Sequence, residues 1–184
     1  MKKILLFLFV AAGSTACQPA APPPAPAPPP STAIRDSLKA TYDGVKENIL
    51  KTAEQVPEGK LSYQPTKEVR TFGQLLGHVA NENYVFCGAA SGGKGPGGDF
   101  TKTTKKADLQ KALADSFAFC DQAFAGVNDQ TGAAPAEIPE FSMKGTKLSM
   151  LAFNTTHDGE HYGNLVTYMR INKMVPPSSQ PPAK

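Results

Sequence analysis

Residues 147–174, KLSMLAFNTTHDGEHYGNLVTYMRINKM, carry two of the chain's three histidines and govern how the rest is read. At about 100° per residue, His157 and His161 lie about 40° apart on a helix, one turn above the other. Met150, Asn154, Leu165 and Tyr168 fall within about 40° of His161 on the same projection, so that stripe is the face turned towards an interior. The stretch predicts a helix over Lys147–Met174 with two imidazoles on its inward side. Such a pair can aim ring nitrogens at one ion ~2.0–2.1 Å from each, and a third ligand must then come from another helix.

His78 is the one histidine left. It falls in a second helical stretch, Thr71 to Ala90, where Phe72, Leu75, Leu76, Val79 and Phe86 form the apolar arc and Thr71 with Gln74 has capping-box spacing. His78 lies about 100° from the centre of that arc, beside Glu82 and Val85, an edge position suited to a seam between helices. A lone histidine is more often a core or surface residue than a ligand. Three at inward or seam positions, in a chain with no others, point to one divalent transition metal ion.

The order His157-Asp158-Gly159-Glu160-His161 departs from the zinc-protease helix, in which a glutamate directly follows the first histidine. Here Asp158 holds that place. Glu82, Asp158 and Glu160 are the carboxylates near enough in sequence to orient an imidazole or move a proton, and Glu82 and Glu160 are the catalytic candidates. Gly159 and Gly163 each cost about 1 kcal/mol of helix propensity. They predict close helix contact or room for a ligand, with Gly73 and Gly77 on the second helix as the facing surface.

Two further helices complete the pattern. Thr32 to Val56 places Ile34, Leu38, Tyr42, Val45, Ile49 and Leu50 on one face, with Ser31 or Thr32 as the cap and Pro57 and Gly59 as the stop. Lys105 to Val127 does the same with Leu109, Ala112, Leu113, Phe117, Cys120 and Phe124. The loop Glu58 to Arg70 would lie over a bundle end, and the glycines and Pro96 of Ser91 to Asp99 break the chain after the second helix. The long connection Asn128 to Gly145 is a candidate lid. No stretch alternates as a strand should. The fold expected is all-α, a four-helix bundle with long connecting loops over residues 32–175, antiparallel or crossover-connected.

Of the 17 prolines, most lie at the two ends, in residues 17–31 and 176–184, which read as a Pro/Ala-rich linker and a Pro-rich tail. Lys2-Lys3, the apolar run Ile4 to Ala12 and the small residues up to Ala16 form an expected signal peptide over residues 1–16, too short to span a bilayer. Cys17 after Ala16 resembles the lipidated cysteine of bacterial lipoproteins, although Ser14 departs from the usual leucine; ordinary cleavage after Ala16 is the alternative. A lipid on Cys17 followed by polyproline II would hold the domain ~40 Å off a membrane. Export leaves Cys87 and Cys120 in an oxidising compartment, either as a disulfide between neighbouring antiparallel helices or as two separate buried thiols. Removing Lys2 and Lys3 from the 19 basic residues leaves 17 against 16 acidic, with no Arg-rich stripe, which argues against nucleic acid as a partner.

The layout resembles the DinB-like superfamily of metal-binding four-helix bundles over about Ile34 to Ser178. The resemblance rests on residues 72–81 (FGQLLGHVAN), residues 157–165 (HDGEHYGNL) and the ending Met174 to Ser178. It implies one histidine from the second helix and two from the fourth around a zinc- or nickel-type ion, which carries over onto His78, His157 and His161. It also implies thiol-dependent transferase or isomerase chemistry, known from cytoplasmic members, which fits poorly with export because small thiols are kept inside cells. Hydrolysis of a small molecule is the more natural expectation; a non-catalytic metal-binding or structural lipoprotein is the alternative. The expected partners are an unknown small-molecule substrate, a membrane reached only through the N-terminal lipid, and a second copy of the chain as a homodimer.

Overall fold

The computed structural model describes residues 28–181. The expected signal peptide, the lipidation site Cys17, most of the linker and residues 182–184 lie outside them. Four helices dominate: α1 (Ala33–Gln55), α2 (Phe72–Ser91), α3 (Lys106–Ala125) and α4 (Lys147–Ile171). None is long and apolar enough to cross a membrane.

Local chemistry sets the helix ends. Thr71 accepts from the Gln74 amide while the Gln74 side chain accepts from the Thr71 amide, and Thr146 with Ser149 repeats the device at the start of α4. The α4 helix stops three residues before the expected Met174. Lys173 takes a left-handed φ of 60°, Met174 donates to the Met169 carbonyl and Lys173 to that of Arg170, a Schellman termination achieved without glycine. At the start of α1 Thr32 makes no capping bond, while the Ser31 hydroxyl accepts from the Ala33 amide at 3.3 Å and donates to Asp129. Asp129, from beyond α3, accepts from the Ile34 and Arg35 amides at 3.3 and 3.0 Å.

The helices form a ring in which α2 packs on α3 and α4, and α1 packs on the same two from the opposite corner. Pairings along the helices fix their directions. Asn83 meets Ser116 and Cys87 meets Cys120, so α2 and α3 run parallel. Lys46 meets Asp121 and Gln110 meets Ala53, so α1 and α3 are antiparallel, as are α2 and α4 from Asn83 with Asn154 and Phe72 with Tyr168. The crossover form of the bundle is therefore the one adopted. Cys87 and Cys120 are disulfide-bonded, fully buried, with Cα atoms 5.2 Å apart, and they join parallel neighbours rather than the antiparallel ones expected.

A parallel pair needs a return segment, and it runs back along α2 itself. A Cβ at Gly77 would overlap the Phe100 carbonyl, and one at Gly88 would press on Gly95, so two glycines let this segment lie directly on the helix. Gly73 meets Leu61 and Leu109. The expectation that Gly73 and Gly77 face α4 is corrected: they face the returning chain and α3. Gly159 and Gly163 have no atom within 4 Å of where a Cβ would stand, so close helix contact is not their role.

The connection from α3 to α4 is also more ordered than expected. Pro135–Ile138 (β1) and Met143–Thr146 (β2) pair antiparallel, Ile138 opposite Met143, around Ser142 at φ 52°. Buried Ile138 pins this hairpin to the bundle. The core between the helices is mainly apolar, with Tyr42, Phe72, Phe117, Phe124, Leu151 and Leu165 fully buried, and encloses the polar side chains of Asn83, Ser116, Asn154 and Asp158. Ile34, by contrast, is 64% exposed. At the far end the Pro-rich tail begins as part of the domain: Pro177 is buried, and the Ser178 amide donates to the Tyr162 hydroxyl.

Candidate metal centre

The α4 stripe is buried as its periodicity requires: Met150, Asn154, His161, Leu165 and Tyr168 all face inward, with His157 half-buried at the seam. His78 stands on the facing side of α2 with its side chain 15% exposed. One ring nitrogen from each of His78, His157 and His161 lies within 4.8 Å of the other two, the only such group among the described residues. Nε2 of His157 and Nε2 of His161 are 3.0 Å apart, and the His78 ring centre is 5.2 and 4.8 Å from theirs.

These donors fit a divalent ion. Two nitrogens ~2.1 Å from one ion and subtending about 90–110° are separated by ~3.0–3.4 Å. The Nδ1 atoms of His157 and His161 are buried without hydrogen-bond partners, so the rings are not positioned by a polar network of their own. Burial first, then the positive charge of Arg70 and the nearby His161 ring, pull the His78 pKa down to about 4. Burial, the two other rings and Arg70 bring His157 to about 3, and His161 is lowered chiefly by burial against the opposing charge of Glu160. All three imidazoles are thus held neutral, with lone pairs free to bind a metal.

The carboxylates separate into three roles. Glu82 Oε1 lies 3.6 Å from His78 Nδ1, too long for a hydrogen bond, and its Oε2 is buried without a partner. Burial raises its pKa. Glu160 is exposed and lines a polar pocket with His161, Gln74, Asn164 and Arg70. Asp158, read as able to orient an imidazole, instead points into the core with no exposure. It accepts from Asn154 Nδ2 at 3.1 Å, the same nitrogen donates to Asn83, and Asn83 donates to Ser116. Burial pushes the Asp158 carboxyl up, towards its neutral form.

Arg70 and an aromatic group complete the surroundings, and neither was singled out from sequence. Arg70 immediately precedes the cap of the helix that carries His78, which is the signal that could have found it. Phe86 lies 5.3 Å from the His157 ring and 4.9 Å from Phe153, which in turn stacks on His157. Phe86 thus belongs both to the apolar arc of α2 and to the wall of the site.

A four-helix bundle with parallel α2 and α3 and three histidines gathered between α2 and α4 defines a recognisable class. The DinB superfamily profile matches residues 41–165, and the chain belongs to that superfamily. Among curated proteins none matches. A DinB-like protein from Bacillus cereus ATCC 10987 is similar in structure with a TM-score of 0.67 and 15% identity, over 77% of this chain and 95% of that one. YfiT from Bacillus subtilis, described as "a probable metal-dependent hydrolase with an unusual four-helix bundle topology", gives a TM-score of 0.61 and 15% identity over 82% and 94%. A mycothiol-dependent maleylpyruvate isomerase gives 0.58 and 13% over 71% of this chain, which spans 60% of that protein. These likenesses establish the fold.

Proposed function

We propose that the protein binds one divalent transition metal ion, zinc or nickel, through His78, His157 and His161, and that this centre hydrolyses a small molecule. The observation that carries the reading is the convergence of three neutral imidazoles from two helices on one point. YfiT, of the same fold, is described as metal-dependent and as a hydrolase, which supports both halves. An ion so held supplies Lewis acidity towards a carbonyl or phosphoryl oxygen. The chain supplies the rest. Burial keeps the imidazoles unprotonated, Arg70 adds a fixed positive charge beside them, and Glu82, its carboxyl raised by burial, can hold or pass a proton next to His78.

The test is elemental analysis of the purified protein and of His78→Ala, with ester, amide and thiol-adduct panels assayed with and without added Zn²⁺ or Ni²⁺. About one ion per chain and metal-dependent ester or amide cleavage, both lost in His78→Ala, are expected. Turnover of thiol adducts alone would replace hydrolysis by transfer, and undiminished metal in His78→Ala would remove the site.

We further propose that the domain works outside the cytoplasm on a lipid attached to Cys17. The support is the order of Lys2-Lys3, the apolar run and the small residues before Cys17. Membrane association of the full chain, lost in Cys17→Ser, tests it. Release of the wild type without detergent, with an unmodified N-terminal Cys17, would overturn it.

A further inference from the structure

Further along α2, past His78 towards the C-terminal end of the helix, lies a cleft of about 780 Å³, bounded by α2, the glycine-rich residues 92–98 and the hairpin. That is the size of a small-molecule site. Its surface is mainly apolar, from Tyr84, Val85 and Ala89 on the helix and Ala136, Ile138 and Phe141 on the hairpin. The walls are seated firmly: Ile138 is buried, and a Cβ at Gly95 would overlap the Tyr84 carbonyl, so the glycine segment rests on α2.

The cleft and the histidine centre share walls. Glu82 lines the cleft and stands 3.6 Å from His78, and Phe86 has its ring 5.9 Å from Phe141 and 5.3 Å from His157. Phe141 remains 49% exposed, an open aromatic surface on the hairpin. The lining carries Glu82, Glu137, Glu140 and Lys94, the last paired with Glu140 at 3.3 Å. Lys144 stands opposite Glu137 in the hairpin and the Lys147 ammonium approaches Gly92 at the rim, so the charges around the cleft are mixed and its apolar surface is what distinguishes it.

We propose that this cleft seats the body of the substrate, a small molecule with a planar apolar moiety of aromatic size, whose polar end lies at Glu82 beside His78. The hairpin, on this assignment, is a specificity element: it supplies the apolar wall against which that moiety packs. The assignment rests on the histidine centre being the reactive site, but the occupancy of the cleft can be measured without turnover.

The probes are 2-naphthamide and acetamide, which shares the polar end without the planar body, with binding to the full chain followed by equilibrium dialysis. Naphthamide should bind at least about tenfold more tightly than acetamide. Ala136→Trp, which fills the cleft from the hairpin, should weaken naphthamide at least tenfold while metal content and melting temperature stay at wild-type values. Phe141→Ser, at an exposed position, should weaken it by a smaller factor. Equal affinity for the two probes, or wild-type affinity in both hairpin variants, overturns the proposal. A wild type without metal whose naphthamide binding is still blocked by Ala136→Trp would sustain the cleft assignment while removing the metal reading.

Discussion

Nε2 of His157 faces Nε2 of His161 at 3.0 Å, across one turn of the same helix. Two neutral imidazoles can share at most one proton between those atoms, and neither Nδ1 has a partner to hold its ring. A cation between them and His78 would order all three. Replacement of any one of the three by alanine should therefore weaken metal binding by at least about a hundredfold, because the remaining pair no longer encloses the ion. Competition with a chromogenic chelator measures it, and near wild-type affinity in any single variant would contradict the assignment.

The pH response follows from the same burial. With His78 at about 4 and His157 at about 3, against about 6.5 in the unfolded chain, the unfolded state binds more protons below pH 6.5. The histidine contribution to stability is complete above about pH 6.5 and is lost as pH falls towards 4. Metal affinity of the folded protein should instead hold down to about pH 4 and fall below it, where protons begin to compete for the nitrogens of His78 and then His157. Asp158, whose carboxyl is raised by burial, acts in the other direction, favouring the fold at low pH and opposing it as pH rises. In chelator, Asp158→Asn should melt above wild type at pH 8 and lose that advantage at pH 4. An equal difference at both pH values would show that Asp158 does not titrate as described.

The Cys87–Cys120 bond closes a loop with a sequence separation of 33 between helices that already pack together. On the chain-entropy argument its removal should cost about 3–4 kcal/mol. Chemical denaturation of the Cys87→Ala/Cys120→Ala variant against wild type measures the loss. A difference under about 1 kcal/mol would mean that the bond adds little to a pairing made by packing alone.

Glycines within two helices should respond with opposite signs. Gly77→Ala forces the Phe100 carbonyl off α2 and should destabilise by about 1–3 kcal/mol. Gly163→Ala, with open space at its Cβ on an exposed turn of α4, should instead stabilise by up to about 1 kcal/mol. Denaturant midpoints at pH 7 decide both, and a neutral Gly77→Ala would show that the return segment moves freely.

The four helices, the Thr71–Gln74 capping box and the inward stripe of α4 were legible because each is a local pattern, set by spacing along one helix. The same holds for the three histidines as candidates. What the sequence concealed was long-range. Asp129 caps a helix from beyond α3, and nothing near Ser31 announces it. The parallel run of α2 and α3 depends on a return segment whose glycines read simply as a break. The hairpin strands, four residues each, are too short to show alternation. Asp158 and Glu160 have similar chemistry on one turn of α4 but lie about 200° apart, and Asp158, seven residues before Leu165, falls on the inward stripe, so its burial was legible from spacing while its partners Asn154 and Asn83 were not.

The ring order described above also constrains how the chain reaches its native state. Helices adjacent in sequence usually zip as hairpins, but α1 and α2 stand at opposite corners, as do α3 and α4. No early α1–α2 hairpin is available as a nucleus, and α1 finds its partners only after more than half the chain has been synthesised. Contacts of high sequence separation are closed at an entropic cost before they are rewarded, which slows folding relative to an up-and-down bundle of equal length. The pair α2 and α3, adjacent in sequence and tied by their return segment, is the unit that can assemble first, with α4 then docking and bringing His157 and His161 to His78. The metal ligands meet only at that late stage, so ion capture reports completion of the bundle rather than its nucleation.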